Sequence, residues 1–258
     1  MVKWAAYPYP QKEFALSVDD LKKAWSDLHS GDCEPIPKDA GLQEAWRQYH
    51  MGNFAEAAEL GLENGITGYT VANKATMIYA TYLEKQETAR LKLLEEVMQR
   101  AEEAIKNDLR NPNAHYFYAY AAGHYSQGIS AMKALAQGYG GKIKAALDIA
   151  LKLDPKHADA HTAMGAYHAA IIDKVGAMVG GIIYGAKKEK SVEHFEKALK
   201  LAPKSPATHI EYANGLMMLF GDKKIDEATA LYEKAADLKP RDAVEKIEVE
   251  IAKDELED

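Results

Sequence analysis

The feature that most constrains the fold is a short phrase that the sequence repeats three times. It reads ALKLDP at residues 150–155, ALKLAP at 198–203 and AADLKP at 235–240. Repetition at a period of a few tens of residues is typical of proteins built from stacked supersecondary units, none of which buries its apolar side alone. Because proline cannot continue a helix, each phrase also marks a helix end. The repeats therefore predict a stack of helical units.

Helical periodicity extends over the rest of the chain, and the composition agrees with it, since the 258 residues include only nine prolines. Ser17 is a favourable N-cap, and Asp19 and Asp20 follow it in a first turn where the helix dipole favours negative charge. The predicted elements are a helix over 17–30, a helix hairpin over 39–64, helices over 70–83 and 88–108, hairpins over 112–155, 155–203 and 203–240, and a last helix over 242–256.

The second helices of the later hairpins share a pattern of small and aromatic residues. Four positions recur at one spacing: Ser191, Phe195, Ala198 and Pro203, and then Ala228, Tyr232, Ala235 and Pro240. Small residues let two helices approach closely, and aromatic residues fill the space that remains. These hairpins resemble the tetratricopeptide repeat (TPR), a helix–turn–helix unit of about 34 residues. The resemblance implies an all-α fold, a right-handed superhelical solenoid of antiparallel helix hairpins.

The first helices follow the TPR pattern less closely. The repeat places a Trp, a Leu-Gly pair and a Tyr there. In this sequence those places align with Tyr118, Ala121-Ala122 and Tyr125 in one hairpin, and with His161, Met164-Gly165 and His168 in the next. The alignment predicts that these side chains pack between helices.

Two of the hairpins are longer than the repeat. Pro112 to Pro155 spans 43 residues and Pro155 to Pro203 spans 48, against about 34 in a TPR. Both excesses are expected between the paired helices, and they end alike, in GYGGK at 138–142 and YGAKK at 184–188. Such elongated repeats are similar to those of the regulator of microtubule dynamics proteins and their bacterial relatives, and to the TPR partner of tripartite periplasmic transporters. The resemblance does not by itself imply microtubule binding.

The pattern divides the chain into three parts. We expect an N-terminal arm and helix over 1–38, a TPR-like repeat domain over 39–240 and a C-terminal capping helix over 241–258. The last helix is strongly charged and carries one thin apolar seam, formed by Val244, Ile247 and Ile251. A terminal repeat element covers its neighbour with one face and meets water with the other.

Charge and motifs exclude several functional classes. The formal net charge of −7 disfavours a general nucleic-acid binder, which needs an excess of Lys and Arg. The single cysteine, Cys33, lies between Asp32 and Glu34, and acidic neighbours raise the pKa of a thiol. No catalytic motif with a defined spacing is recognisable. The sequence therefore predicts a protein that is not an enzyme and has no cofactor.

The histidines give the one hint of a metal. His161 and His168 lie two helical turns apart, and a metal would need a third ligand, for which Asp159 or Asp173 is a candidate. The other interpretation is inter-helix packing, because the repeat uses both positions to join helices. We favour packing and expect no metal.

The predicted binding surface is the concave groove that the first helices line in TPR arrays. Its residues are mostly small, apolar or aromatic: Trp46, Tyr49, His50, Tyr116, Ala119, Gln127, Thr162, Ala166, Asn214 and Met217. The groove lacks the Lys, Asn and Arg set with which family members clamp a C-terminal carboxylate. The predicted function is a non-catalytic scaffold for a protein or peptide partner, and the alternative is a carrier of a small apolar ligand associated with a solute transporter. A third possibility is that the long hairpins or the arm fill the groove.

The most unusual stretch is VGAMVGGIIYG at residues 175–185, which is apolar, uncharged and rich in glycine. An exposed patch of this kind usually marks an interaction site. We consider a lid, a lipid-contacting loop and a subunit contact in a homo-oligomer. The alternative is a hairpin tip packed on residues 128–141.

Location follows from what the N-terminal stretch lacks. The first ten residues have no apolar core of a signal peptide, and no run of 18 apolar residues is present. As written, the chain is expected in the cytoplasm, and a trimmed N-terminus would leave a periplasmic origin open.

Overall fold

Capping side chains set where several helices begin. In the computed structural model, which describes residues 4–257 except for the side chain of Ala131, an N-cap oxygen accepts a hydrogen bond from the backbone N–H three residues later at Ser17, Asp39, Asn111 and Ser205. Each cap satisfies one of the backbone donors that a helix start leaves unpaired. The predicted start at Ser17 is thus confirmed.

Over residues 4–257 the chain forms fourteen α-helices and no β-strand, which confirms the predicted all-α class. The helices are α1 (Val18–Leu28), α2 (Ala40–His50), α3 (Phe54–Glu63), α4 (Tyr69–Ile78), α5 (Glu87–Asn107), α6 (Pro112–Gln127), α7 (Ala131–Ala136), α8 (Tyr139–Leu153), α9 (Ala158–Val175), α10 (Ala177–Tyr184), α11 (Lys188–Leu201), α12 (Pro206–Phe220), α13 (Ile225–Asp237) and α14 (Ala243–Glu257).

Shorter helical turns complete the chain. The helix predicted over 70–83 is α4 followed by a π-helical turn, Tyr79–Leu83. Single π turns are rare and are often found at functional sites. The predicted N-terminal arm contains a 3₁₀ turn, Gln11–Phe14, and its residues 1–3 lie outside the described part of the chain, as does residue 258.

The packing divides the molecule into two compact units. Unit 1 comprises residues 4–29, Glu34–Tyr139 and Arg241–Val244. Unit 2 comprises Ser30–Cys33, Gly140–Pro240 and residues 245–257. Helices α8 and α14 each contribute residues to both units. The division into parts at residues 38 and 240, which follows the repeat pattern, stays a prediction.

Unit 1 is built from helices that pack on their neighbours in sequence. Helix α2 contacts α3, α3 contacts α4, α4 contacts α5, and α5 contacts α6. Aromatic side chains fill its N-terminal half, where the Trp46 ring lies edge-on to Trp25 and Tyr49, with ring centroids 5.8 and 5.4 Å away. Such pairs add to the stabilisation that burial of their apolar surface provides.

Unit 2 contains two hairpins, α9 with α11 and α12 with α13, and their first helices α9 and α12 also pack against each other. The pattern predicted for the second helices forms this core, since Ser191, Phe195 and Ala198 are fully buried, as is Ala235. The Ser191 hydroxyl donates to the backbone carbonyl of Gly165 at 2.7 Å, which satisfies a polar group at the helix contact.

The residues in excess of the TPR length form two additional short helices, α7 and α10. As predicted, each one precedes the second helix of its hairpin, α8 or α11. Gly138 and Gly185, which follow α7 and α10, have φ angles of +67° and +65°. Glycine adopts this region without the steric cost that a side chain brings, so these positions let the chain turn back into a helix.

Candidate functional site

The N-caps fix how the first helices correspond to one another. Counting four residues from the caps Asn111, His157 and Ser205 leads to a histidine each time. Those three residues, all buried, are His115, His161 and His209. His115 and His161 each donate from Nε2 at 3.2 Å to the carbonyl oxygen six residues earlier, of Leu109 or Pro155. This register corrects the sequence alignment, which matched His161 to Tyr118.

The early members of the predicted binding set are core residues. Trp46, Tyr49 and His50 are each at most 2 % exposed. Their rings pack on one another, with centroids of Trp46 and Tyr49 5.4 Å apart and of Tyr49 and His50 5.0 Å apart. These three side chains are therefore enclosed in the core of unit 1 and do not line an open groove. Contacts between aromatic rings of this kind stabilise the packing of α2.

The predicted residues of α6 divide into two kinds. Tyr116 and Ala119 are buried in unit 1. Gln127, the last residue of α6, is exposed and lines a recess together with His124. Sequence reasoning selected Gln127 for the inner face of a helix, and it missed the recess because Thr81 and Arg90 come from distant stretches.

The predicted residues of unit 2 also differ in their exposure. Thr162 is buried and bonds Thr208 of α12, with the hydroxyl oxygens 2.9 Å apart. Its place is a packing contact between α9 and α12, which corrects its assignment to an open surface. Ala166, Asn214 and Met217 are half-buried and reach solvent.

Those three residues belong to two partly exposed stripes on neighbouring helices, which we call the α9–α12 face. On α9 the stripe is Ala163, Ala166 and Ala170, and on α12 it is Ile210, Asn214 and Met217. Residues three or four apart share one side of a helix. The face thus presents small alanine side chains on α9. On α12 it presents two apolar side chains and one amide.

Two polar groups shape the α12 part of this face. The Tyr232 hydroxyl donates to Oδ1 of Asn214 at 2.6 Å, which fixes the amide plane. Glu211, half-buried between Ile210 and Asn214 in sequence, has its pKa raised by burial. A carboxylate in such a place favours a cationic neighbour.

The apolar stretch at residues 175–185 contains helix α10, which has one packed side and one exposed side. Gly180 is buried, and a Cβ atom there would lie 3.2 Å from Cγ2 of Ile171 on α9, so the glycine lets the tip pack closely on its own hairpin. The outer side is open, because Met178 is 76 % and Ile182 80 % exposed. The tip is therefore packed along one side and presents an apolar patch on the other.

Three histidines meet in unit 2. His161 and His168 of α9 lie near His194 of α11, with ring centroids 5.0 and 6.0 Å from that of His194. Because Nε2 of His161 donates to a carbonyl, its Nδ1 accepts the 2.8 Å hydrogen bond from Nδ1 of His194. Burial lowers the pKa of His168 and of His194 to about 4. Packing, the favoured interpretation, accounts for His161 and His168.

Within the described range no group of three or more His, Cys, Asp or Glu side chains is placed to hold a metal ion. His194, which sequence reasoning missed, comes near the other two because α11 returns alongside α9. The 2.8 Å separation of the two Nδ1 atoms is a hydrogen-bond distance.

A second buried histidine group joins three distant segments of unit 1. Oδ2 of Asp242 accepts from Nδ1 of His50 at 2.7 Å, and Nε2 of His50 lies 3.3 Å from Nε2 of His29. All three residues are buried. Because all three groups are shielded from solvent, we interpret this cluster as a structural link between the segments.

Cys33 behaves as its acidic neighbours predict. Burial, followed by Asp154 and then Asp32, raises the pKa of the thiol to about 12. The thiol donates to the carbonyl of Lys156 at 3.6 Å. A thiolate is therefore disfavoured at neutral pH.

The alternative function, carriage of a small apolar ligand, would need an enclosed apolar cavity. Among the described residues, one pocket is a polar recess of about 90 Å³. The other is an open depression with Lys188, Glu189 and Glu193 in its lining. The second pocket also has Val192 and Phe220 in its lining but is open to solvent, and the first is polar, so neither is the enclosed apolar cavity that such a ligand needs.

The helix hairpins, their capped first helices and the buried small residues of their second helices define a TPR-like helical-repeat protein. The crystal structure of a thermophilic TPR protein from Thermus thermophilus superposes with a TM-score of 0.58 at 17 % identity. The match covers 82 % of this chain and 96 % of that one. At this identity the likeness concerns the fold.

The family can be named more narrowly. The family model described as regulator of microtubule dynamics protein 1-3 matches residues 68–258. The chain belongs to this family. Among curated protein sequences no match was found.

In residues 4–257 none of the helices combines the length and the hydrophobicity that crossing a membrane requires.

Proposed function

We propose that the protein is a non-catalytic scaffold that binds a protein or peptide partner on the α9–α12 face. The observation that carries the proposal is the pair of half-exposed stripes on two first helices that pack side by side. First helices are the elements that TPR arrays use for recognition, and the family and fold support that use here.

The chemistry of the face suits a peptide with apolar side chains. Alanines along α9 leave room for a partner's side chains, and Met217 can adapt to their shape because methionine is unbranched and flexible. The Asn214 amide, held by Tyr232 through its oxygen, has two N–H donors that take no part in that bond. Such donors can hydrogen-bond a peptide carbonyl. Glu211 would pair with a basic residue of the partner.

Site-specific photo-cross-linking tests the proposal. A photoreactive phenylalanine analogue is placed at Ala166 or at Met217, and at Glu196 as a control, because Glu196 is exposed on α11. We expect the same discrete cross-linked partner from both test positions and none from the control. Equal adducts at all three positions would contradict a binding face here.

A blocking variant gives an independent test. Ala166→Trp fills the face with a bulky side chain and should reduce partner capture by at least tenfold. Ala145→Trp is the matched control, since Ala145 is exposed on α8 outside the face. Thr162 is unsuitable for this purpose because its replacement would disturb the contact of α9 with α12. Unchanged capture by Ala166→Trp would count against the face.

A further inference from the structure

A polar recess of about 90 Å³ lies in unit 1, away from the residues assigned so far except Gln127. Its lining comes from three elements of the chain: Thr81 in the π-helical turn, Arg90 and Leu94 on α5, and His124 and Gln127 at the end of α6. The π turn places Thr81 at the recess, which fits the association of such turns with functional sites.

Arg90 supplies the fixed positive charge. It lies in the first turn of α5, where the backbone N–H groups also favour an anion. Its acidic neighbour is Glu87, with Nη2 and Oε1 3.9 Å apart and with side chains 39 % and 65 % exposed. Exposed pairs of this kind contribute little, so the guanidinium can exchange Glu87 for an anion that it binds through two parallel hydrogen bonds.

The remaining polar groups are neutral. Burial, followed by the charge of Arg90, lowers the pKa of His124 to about 4, so its ring is an uncharged N–H donor at neutral pH. The ring packs on Tyr120, with centroids 4.3 Å apart. The Tyr120 hydroxyl lies 2.9 Å from Oγ1 of Thr81. Either hydroxyl can be the donor in this bond, and the Thr81 hydroxyl is a neutral polar group in the lining of the recess.

From this arrangement we propose that the recess binds a single carboxylate group of a peptide partner, either an Asp or Glu side chain or a C-terminus. One permanent cation matches one negative charge, whereas a phosphate dianion would be only half neutralised. The recess, at about 90 Å³, has room for the three heavy atoms of a carboxylate. The planar fork of arginine matches the geometry of that group.

Naming a peptide as the source of the carboxylate rests on the proposed scaffold function, but binding of the group itself is measured without a partner. The probe is propionate, added to the isotope-labelled full chain at pH 7 and followed by NMR. Propionamide, which has the same shape without the charge, is the chemical control. We expect saturable shifts of the Arg90 Nε–H and His124 ring signals with propionate and none with propionamide.

Variants locate the site. Arg90→Gln should weaken propionate binding by at least tenfold, and Arg110→Gln, which removes an exposed arginine that does not line the recess, should leave it unchanged. Gln127→Glu, at an exposed position on the rim, should also weaken binding, through like-charge repulsion. Equal effects of propionamide and propionate, or equal binding by the two arginine variants, would overturn the proposal.

Inorganic phosphate distinguishes the class of anion. We expect it to bind more weakly than propionate at pH 7, and tighter binding would overturn the assignment to a carboxylate. A failure of propionate to bind, with cross-linking at Ala166 intact, would remove this inference and leave the scaffold function standing. If propionate does not bind and no cross-link forms at Ala166, both the carboxylate site and the scaffold function are refuted.

Discussion

Gly165 of α9 and Phe195 of α11 are packed so closely that a Cβ atom at Gly165 would lie 2.9 Å from the phenyl ring. Gly215 of α12 meets the same ring, with a Cβ-to-ring distance of 2.6 Å, and Tyr212 stacks on it with centroids 5.0 Å apart. The ring therefore joins the hairpin of α9 and α11 to the next hairpin. It has glycine on two sides because no other residue leaves the space.

The first prediction is that Gly165→Ala destabilises the protein. Alanine favours a helix over glycine by about 1 kcal/mol. Overpacking of a filled core costs about 1–3 kcal/mol, and here the ring cannot retreat, since Gly215 and Tyr212 hold its other sides. We expect a net loss of up to about 2 kcal/mol in the free energy of unfolding, measured by urea denaturation.

Gly123→Ala is the matched control. Gly123 lies inside α6, and a Cβ atom there would meet nothing within 4 Å. The gain in helix propensity then acts alone, and we expect the variant to be more stable by up to about 1 kcal/mol. Destabilisation of both variants by the same amount would mean that contact with Phe195 is not the cause.

The second prediction concerns acid. Burial lowers the pKa of His168 to about 4, whereas a histidine in an unfolded chain titrates near 6.5. The unfolded chain therefore binds more protons as the pH falls. Stability that is present above pH 6.5 is lost towards pH 4, by about 3 kcal/mol from His168 alone. Urea denaturation at several pH values between 7 and 4 measures the loss.

His168→Leu isolates the contribution of that side chain. Leu216 holds the corresponding place on α12, counted from the N-caps His157 and Ser205, so an apolar residue suits the site. Nδ1 of His168 is a buried side-chain nitrogen with no hydrogen-bond partner, and its removal should cost little at pH 7. The variant should lose less stability on acidification than the parent chain. An unchanged pH dependence would contradict the assignment.

Much of this fold is readable from the sequence because its signals are local. Ser17 predicts a helix start because its side chain is a favourable N-cap, and the spacing of Ser191, Phe195 and Ala198 predicts one buried helix face. The proline phrases place the helix ends. Each signal lies within a few residues of the structure that it predicts, so no knowledge of tertiary packing is needed.

The site was harder to predict because exposure depends on the neighbours of a helix. Trp46 and Thr162 occupy places where a TPR groove was expected, yet other helices cover them. The register of α6 could not be fixed without the shared hydrogen bonds of His115 and His161. The recess at Arg90 joins separate stretches of chain, and spacing in sequence carries no signal for such a contact.

The third prediction is weak self-association through α10. Its eight residues make a helix about 12 Å long. A stable interface buries about 800 Å² on each partner, which so short a helix cannot supply alone. We expect a monomer at 10 µM or below and concentration-dependent association only at about 100 µM or above, measured by sedimentation velocity.

Ile182→Lys should remove that association, because it places a charge in the middle of the patch. Leu109→Lys is the control, since Leu109 is also an exposed apolar residue, at 70 %, but lies in unit 1 outside α10. A tight dimer at 10 µM, or equal effects of both substitutions, would show that α10 is not the contact.

The fourth prediction tests the buried hydrogen bond between α2 and the segment that precedes α14. Oδ2 of Asp242 accepts from Nδ1 of His50 at 2.7 Å, and both groups are buried. Asp242→Ala leaves the His50 donor without this acceptor, which costs about 1–3 kcal/mol in the free energy of unfolding. Asp242→Asn keeps an acceptor oxygen and should lose less stability.

Asp254→Ala is the control. This residue lies at an exposed position of α14, and its replacement should change stability by no more than about 0.5 kcal/mol. Denaturation of the three variants side by side separates the link from a general effect of lost charge, and equal losses in all three would refute it.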